Sequence, residues 1–384
     1  MREGELNKDT NKIIEERKEK LKKLREKGDP YPNNFERTHF AEELQSTHIN
    51  DDKDFFTVKK LPVSCAGRII LKRVMGKASF CTILDMTGTI QIFINEKTLG
   101  KDTYDNFKNF DLGDIIGVKG DLFKTNTGEL SIRTYEIRLL SKSLRPLPEK
   151  FHGLADTEQK YRQRYLDLIT SQDTRNRFKL RSEIIQSIRN FFISRNFLEV
   201  ETPMMQPIPG GANARPFRTH HNALDMELFL RIAPELYLKR LLVGGFEQIF
   251  EINRNFRNEG ISTKHNPEFT MLEFYIAYKD FIYLMDLTED LFRKIAKDTL
   301  GTLKIRGDNY EVDLGDKFER LSITEAIHKY NKTIPLEKLS SRDYLRDLLA
   351  SNNEITNLAL AILAFLFTNG DNLLGDFNIP ASID

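Results

Sequence analysis

The chain has 384 residues, of which 40% are hydrophobic and 30% charged, and its formal net charge is +1. This length favours two domains, and the composition excludes a disordered polyelectrolyte. The amino-terminal residues are polar, which predicts no secretory signal, and the longest apolar run, residues 358–367, is too short to cross a bilayer. We therefore expect a cytoplasmic protein that has no membrane partner.

The distribution of charge along the chain indicates where a nucleic-acid partner would bind. Residues 63–145 contain 13 Lys and Arg against 9 Asp and Glu, whereas residues 301–384 contain 9 against 13. A basic excess suits a nucleic acid, although a solvated surface explains it equally well.

Cys65 and Cys81 lie in apolar, alternating stretches, which predicts reduced core thiols. The histidines have no ligand spacing, so no metal site is identifiable.

The first half of the chain predicts a helix followed by a small barrel. Residues 8–27 predict a charged helix that ends at Gly28. A period of two then predicts five strands, at residues 63–71, 80–85, 89–95, 115–123 and 130–140, with a helix over 96–110 after the third strand. This order is typical of an OB-fold, which binds oligonucleotides on one face, but other small barrels share the pattern.

The second half predicts helices around a hairpin. A helix is expected over 175–195, strands over 197–203 and 228–233, and a helix that starts near Glu235 with Pro234 in its first turn. Two further strands, 247–256 and 268–277, enclose a long polar loop. Long loops between good strands are usually functional or disordered.

Charged residues alternate with aromatic ones along this predicted hairpin. The charged and polar residues of this stretch are Arg257, Glu259, His265, Asn266, Glu268 and Glu273. Arginine neutralises phosphate, an aromatic face stacks on a purine, and a carboxylate binds an ammonium group, so a nucleotide and a cationic small molecule would fit. A structural ion-pair network is the alternative interpretation.

Two more features gain meaning only beside the hairpin. Gly210 and Gly211 would let the backbone approach a ligand closely, or they belong to an ordinary loop. Glu235, at a helix start, either binds an α-amino group or stabilises the helix dipole.

Long strings of the sequence are similar to motifs 1 and 2 of the class II aminoacyl-tRNA synthetases, and most similar to the bacterial lysine enzyme. They are FLEVETPMM (197–205), APELYL (233–238), FEINRNFRNEGISTKHNPE (250–268) and FTMLEFY (269–275), with KRVMGKASF (72–80) in the barrel and the linker run 145–167. The resemblance implies an α+β fold: an OB-fold β-barrel followed by a synthetase antiparallel sheet flanked by helices.

The resemblance also implies an activity and its substrates. The family makes lysyl-adenylate from L-lysine and ATP with Mg²⁺, and then transfers lysine to tRNA(Lys). Arg257 would be catalytic and, with Glu259, His265, Asn266 and Phe269, would bind ATP. Gly211, Glu235, Glu273 and Tyr275 would bind lysine. In the barrel, Phe80 would stack on an anticodon base that Arg73, Gln91 and Glu129 help to read, although Phe80 alone would be assigned to the barrel core.

The family pattern fades after about Tyr330. The acidic block that binds Mg²⁺ in the family has no counterpart, and Ile362 stands where the motif 3 arginine is expected. The alternative function is therefore a catalytically impaired, tRNA-binding protein or a partner subunit. The expected domains are a helical extension (1–60), the anticodon-binding barrel (61–145), a linker (146–170) and a catalytic domain (171–384) incomplete after about 330. Residues 197–205 are expected to form a homodimer interface.

Overall fold

The computed structural model describes residues 3–148, 156–262, 265–307 and 310–351. The chain divides into two compact units, Met1–Arg175 and Asn176–Asp384. The predicted core run 358–367 and the predicted departure from the family at Ile362 lie outside the described residues. None of the helices within the described ranges is long and apolar enough to cross a membrane.

Three helices precede the barrel: α1 (Glu3–Lys27), α2 (Ala41–Thr47) and α3 (Lys53–Val58). Helix α1 starts five residues before its predicted start and ends as predicted. Its Arg17, only 7% exposed, donates to the carbonyls of Ser143 and Arg145 at 3.2 and 3.1 Å, and Lys20 pairs with Asp111 at 2.8 Å. Long-range contacts of its basic side chains therefore hold this charged helix on its unit.

The barrel consists of β1 (Pro62–Met75), β2 (Ala78–Leu84), β3 (Thr89–Asn95), β4 (Ile115–Lys124) and β5 (Leu130–Ser141). The strands close in the order β1-β2-β3-β5-β4, and β3 runs parallel to β5. The five predicted strands and the OB-fold order are confirmed. The single helix predicted over 96–110 is wrong: Gly100, at φ +81°, separates α4 (Glu96–Leu99) from α5 (Lys101–Lys108).

Alternating apolar residues fill the barrel, among them Ile69, Ile92 and Ile132, none of which is exposed. Cys65 and Cys81 are free and buried in the same core, which confirms the predicted thiols. Burial raises the pKa of each thiol to about 12, so both are protonated near neutral pH.

Helices α6 (Thr157–Arg162), α7 (Arg164–Thr170) and α8 (Gln172–Ile193) follow the barrel. The second unit contains β6 (Leu198–Glu199), β7 (Met205–Gln206), β8 (Arg218–His221), β9 (Met226–Leu230), α9 (Glu235–Val243), β10 (Gln248–Phe256), β11 (Glu268–Ile276) and α10 (Phe281–Leu300). One sheet has the order β7-β9-β8, and the other has the order β11-β10-β6.

The second sheet positions the candidate site. Strands β10 and β11 are antiparallel, as expected, but β6 pairs parallel to β10, so the sheet is mixed. The strand predicted over 197–203 is wrong after Glu199, because the Thr202 amide donates to the Glu251 carboxylate at 3.1 Å.

The register of the β10–β11 hairpin separates its two faces. Phe250 lies opposite Phe274, and both pack with Phe192 of α8, whose ring centroid is 5.0 Å from that of Phe250. Successive side chains of a strand alternate between faces. Glu251 and Glu273, which also lie opposite each other, are therefore on the other face, together with Phe269 and Tyr275. We call this the ligand face.

The described chain continues through β12 (Lys304–Arg306), β13 (Glu311–Asp313), α11 (Ile323–Tyr330), a 3-10 helix (Leu336–Ser340) and α12 (Arg342–Ser351). A capping box formed by Ser322 and Glu325 fixes the start of α11.

Candidate active site and nucleic-acid interface

Arg257 and Phe269 lie together at the open end of the hairpin. Arg257 directly follows β10, and its amide donates to the Pro267 carbonyl at 2.8 Å. Its guanidinium carbon is 5.2 Å from the centroid of the Phe269 ring. The Arg257 Nε is buried and has no hydrogen-bond partner among the described residues. An arginine beside an aromatic ring suits a ligand that combines a phosphate with a purine.

Glu273 and Tyr275 lie further along β11 on the ligand face. The Tyr275 hydroxyl donates to Glu273 Oε1 at 2.8 Å. Burial raises the pKa of Glu273; the nearby Glu235 and Glu251 carboxylates add to this, while the Tyr275 hydrogen bond and Arg231 oppose it. Burial and the bond to Glu273 also raise the pKa of Tyr275. A cationic group would bind favourably to this half-buried carboxylate, because it would neutralise the negative charge of Glu273.

Gly211 and Glu235 are brought together at the start of α9. Gly211 has φ +86°, and a Cβ built on it would lie 2.8 Å from the Glu235 Cβ. The Glu235 Oε1 atom pairs with Lys239 Nζ at 2.5 Å. Helix α9 packs against β11, and the Glu235 carboxylate is one of the charges that raise the pKa of Glu273.

The remaining predicted nucleotide contacts lie on the exposed loop between β10 and β11. Glu259 Oε1 accepts from the Arg215 amide at 3.3 Å, and His265 Nδ1 lies 2.8 Å from Ser262 Oγ. Asn266 is also exposed. The loop therefore carries all three beside Arg257, but their described partners are loop residues and not Arg257 or Phe269.

A buried ion pair that includes Glu251 of the ligand face was not predicted. Arg231 Nη1 and Glu251 Oε1 are 2.8 Å apart, and their side chains are 0% and 1% exposed. Thr202 Oγ1 donates to Glu251 Oε2 at 2.7 Å. The sequence carried one signal, since an arginine after an apolar strand is costly to bury without a partner. Its partner is 20 residues away, and no sequence spacing indicates it.

The barrel presents an aromatic cluster on its outer surface. The ring centroid of Phe93 is 5.1 Å from that of Phe80 and 6.0 Å from that of Phe123, and the Arg133 guanidinium is 4.8 Å from the Phe123 ring. These four residues line a cavity of about 510 Å³, together with Lys53, Lys60 and Lys124. Of the cluster, only Phe80 was predicted. The available signal for Phe93 and Phe123 was a single aromatic residue on each of β3 and β4.

The other predicted base-reading residues surround this cluster. Arg73 lies opposite Phe80 in the β1–β2 register. Gln91 Nε2 donates to Glu129 Oε2 at 2.8 Å, and its Oε1 accepts from Ser131 Oγ at 2.9 Å. The Gln91 amide is thereby oriented. Phenylalanine rings beside fixed amides and cations suit splayed, single-stranded bases.

Within the described ranges, no group of three or more His, Cys, Asp and Glu side chains could hold a metal ion. The described residues therefore do not fit a resident metal.

An OB-fold barrel with an aromatic outer cluster is the architecture of a nucleic-acid-binding domain, and the mixed sheet that follows it carries an arginine–phenylalanine pair and paired carboxylates. Comparison with known families agrees. The model for class II tRNA synthetases (D, K and N) matches residues 156–358, and the model for the OB-fold nucleic-acid-binding domain matches residues 63–140. The chain belongs to the class II tRNA synthetase family.

Individual relatives share most of this sequence. The lysine–tRNA ligase of Paraburkholderia phytofirmans is 60% identical over 338 residues, which cover 88% of this chain and 65% of that protein. The lysine–tRNA ligase of Thiobacillus denitrificans is 59% identical over 337 residues, which cover 88% of this chain and 67% of that protein. The chain thus spans about two thirds of the length of these relatives. The family match reaches residue 358, beyond Tyr330, after which the family pattern was expected to fade.

Proposed function

We propose that the chain acts as a lysine–tRNA ligase, which activates L-lysine with ATP and transfers it to tRNA(Lys). The observation that carries this proposal is the order of groups along the ligand face. Arg257 with Phe269 lies at one end, and Glu273 with Tyr275 lies further along the same strand. Identity of about 60% to curated lysine–tRNA ligases supports the same activity.

In the first step, a lysine carboxylate oxygen attacks the α-phosphorus of ATP, the bond to the β-phosphate breaks, and pyrophosphate leaves. Negative charge grows at that phosphorus during the attack. The Arg257 guanidinium would stabilise this charge and orient the carboxylate, while Phe269 stacks on adenine. Glu259, His265 and Asn266 would contact the nucleotide from the loop.

Lysine would be held at both ends. The Glu235 carboxylate and the Gly211 backbone would bind the α-amino group, and Glu273 with Tyr275 would bind the side-chain ammonium. An uncharged amino acid would leave the half-buried Glu273 carboxylate without a counter-charge, so the pocket would reject it strongly.

Class II synthetases use ATP together with Mg²⁺. Because the described residues offer no metal-holding group, Mg²⁺ is proposed only as the companion of the ATP phosphates.

The barrel would hold the anticodon loop of the tRNA. Phe80 would stack on one base, with Arg73, Gln91 and Glu129 reading its edge. Phe93, Phe123 and Arg133 extend this surface, and the lysines of the cavity would neutralise phosphates. The domain boundaries predicted from the sequence, at 60, 145 and 170, remain predictions of this proposal.

We further propose a cytoplasmic homodimer. In the 197–205 segment, Leu198 and Met205 are 46% and 56% exposed, which suits burial against a second copy. Sedimentation analysis of wild type against a Met205→Glu variant tests this interface. A dimer that the variant dissociates supports the proposal, and a wild-type monomer at micromolar concentration contradicts it.

Lysine-dependent exchange of pyrophosphate into ATP tests the activation step. Arg257→Ala should reduce the exchange rate on the order of 100-fold or more, because a transition-state clamp is removed. Arg254→Ala is the matched control: Arg254 lies on β10, which Arg257 directly follows, and its side chain is on the opposite face, where it approaches Glu268 at 3.7 Å. Equal losses in the two variants would contradict the assigned role of Arg257. A folded wild type without exchange would favour the alternative of an impaired, tRNA-binding protein.

A further inference from the structure

Three segments of the second unit meet at Arg231, which lies between β9 and α9. Its Nη1 pairs with Glu251 at 2.8 Å and donates to Thr202 Oγ1 at 2.9 Å, and its Nε donates to the Arg254 carbonyl at 2.9 Å. The backbone of Arg231 is fixed as well: its amide donates to Met204 and its carbonyl accepts from Phe256, at 2.8 and 2.9 Å. Main chain and side chain together join residues 202–204, β10 and the start of α9.

These bonds connect the two carboxylates of the proposed lysine pocket. Glu273 lies opposite Glu251 across the β10–β11 register, and Glu251 is bonded to Arg231. From Arg231, three buried residues lead to Glu235, the first residue of α9. The Arg231–Glu251 contact therefore lies on the path of hydrogen bonds and main chain that joins Glu235 to Glu273.

We propose that Arg231 is a positioning residue that sets the separation of Glu235 from Glu273, and thereby the length of the diamino acid that the pocket accepts. This inference rests on the proposed function, because it assigns the two ends of the substrate to these two glutamates. Arg231 itself contacts no substrate, since its side chain is fully buried.

Charge balance supports this role. The Arg231–Glu251 pair is internally neutral, so it adds no net charge to the pocket. Two like charges directly opposite on a sheet repel each other, and pairing Glu251 with Arg231 relieves its repulsion of Glu273. A buried ion pair is often no more stabilising than an apolar pair of similar size. Specificity for the substrate is therefore a testable role for the Arg231–Glu251 pair, as an alternative to stabilising the fold.

The test compares lysine with ornithine, which is one methylene shorter, by calorimetric binding to the full chain. One methylene in a fitted pocket changes affinity about 10- to 200-fold. We expect wild type to prefer lysine by such a factor. The variant Arg231→Met/Glu251→Met removes both charges and avoids leaving one of them buried alone. Its ratio of ornithine to lysine dissociation constants should fall towards one.

A matched control uses another ion pair of the same unit. Arg306 of β12 and Glu311 of β13 are 2.6 Å apart, are exposed and do not belong to the ligand face. Arg306→Met/Glu311→Met should leave the ratio unchanged. Arg231→Lys keeps the charge but lacks the guanidinium fork that bonds Thr202, Glu251 and the Arg254 carbonyl, so it should reduce the ratio partway.

The outcomes separate this inference from the proposed function. A wild type that binds neither amino acid would overturn the proposed function, and this inference with it. A wild type that binds lysine selectively, with a double variant that loses affinity for both amino acids by the same factor, would overturn the positioning role alone. Circular dichroism of each variant verifies that the comparison is made on folded protein.

Discussion

Tyr275 donates a 2.8 Å hydrogen bond to Glu273, two residues before it on β11, while the carboxylate of Glu251 lies directly opposite Glu273. Glu273 thus has a hydroxyl donor on its own strand and a like charge on the neighbouring strand. The described residues supply Glu273 with no ion-pair partner. A cationic ligand would therefore stabilise the ionised form of Glu273. Besides the selectivity test for Arg231, the arrangement of this site and of the barrel leads to four predictions.

Glu273→Gln should stabilise the unliganded protein and weaken its binding of lysine. The pKa of Glu273 is raised above its ordinary value of 4.5, so the folded chain holds this proton more tightly than the unfolded chain does. The contribution of this protonated carboxyl to the free energy of unfolding is present below pH 4.5, and it is lost as the pH rises through the pKa of Glu273 in the folded chain. Near neutral pH the ionised group opposes folding, and the variant should melt at a higher temperature than wild type.

The same variant should bind lysine on the order of 100-fold more weakly, since the ammonium loses its counter-charge. Calorimetry and thermal melting at pH 4 and pH 7 measure both effects. Glu268→Gln, on the opposite face of β11, is the control. A variant that melts below wild type at pH 7, or that keeps full lysine affinity, would contradict this account of Glu273.

Gly211→Ala should impair folding and lysine binding together. Its φ of +86° is unfavourable for a residue with a Cβ, and the added Cβ would lie 2.8 Å from the Glu235 Cβ. Such strain costs about 1–3 kcal/mol. Gly260→Ala is the matched control, because no atom lies within 4 Å of its added Cβ. Denaturant unfolding measures the difference, and equal stability of the two variants would refute the argument from Gly211.

Phe80→Ala should weaken the binding of tRNA about 10- to 100-fold, because stacking on one base contributes about 1–3 kcal/mol. Lysine activation should be unaffected, since the barrel and the ligand face belong to different compact units. Filter binding and pyrophosphate exchange measure the two activities, with Tyr31→Ala, an exposed aromatic outside the cluster, as control. Equal loss of both activities would contradict the division of labour.

Lys142→Met should destabilise the first unit by about 3–5 kcal/mol. Lys142 Nζ lies 2.8 Å from Asp114 Oδ1, and the two side chains are 2% and 0% exposed. Without Lys142, Asp114 would be a buried charge without its cation. Lys119→Met, which breaks a partly exposed pair with Glu136, is the control and should cost less than about 1 kcal/mol. Unfolding curves that match for both variants would exclude this role.

The barrel was predictable because its signals are local. Alternation of apolar residues and turn sequences fixed all five strands, and only the break at Gly100 in the following helix was missed. The ligand face was predictable in part: charges among aromatic residues on the hairpin indicated a ligand site, and the resemblance to the class II synthetases assigned Phe269, Glu273 and Tyr275 to it. Arg231 was missed because its importance depends on Glu251 and Thr202, which are distant in sequence and meet only in the folded sheet.

The strand predicted over 197–203 was wrong for a related reason. Its composition suits a strand, but Thr202 directs its amide and hydroxyl to the Glu251 side chain and not to a neighbouring backbone. Side-chain competition of this kind has no signature in periodicity.

The most direct test of the central claim is pyrophosphate exchange by the purified chain, supplied in turn with lysine, arginine and methionine. The account predicts exchange with lysine, far less with the other two, and loss of the lysine-dependent rate in Arg257→Ala. A folded chain that shows no exchange with lysine, or comparable exchange with methionine, would contradict the assignment of Arg257 and Glu273 to a lysine-activating site.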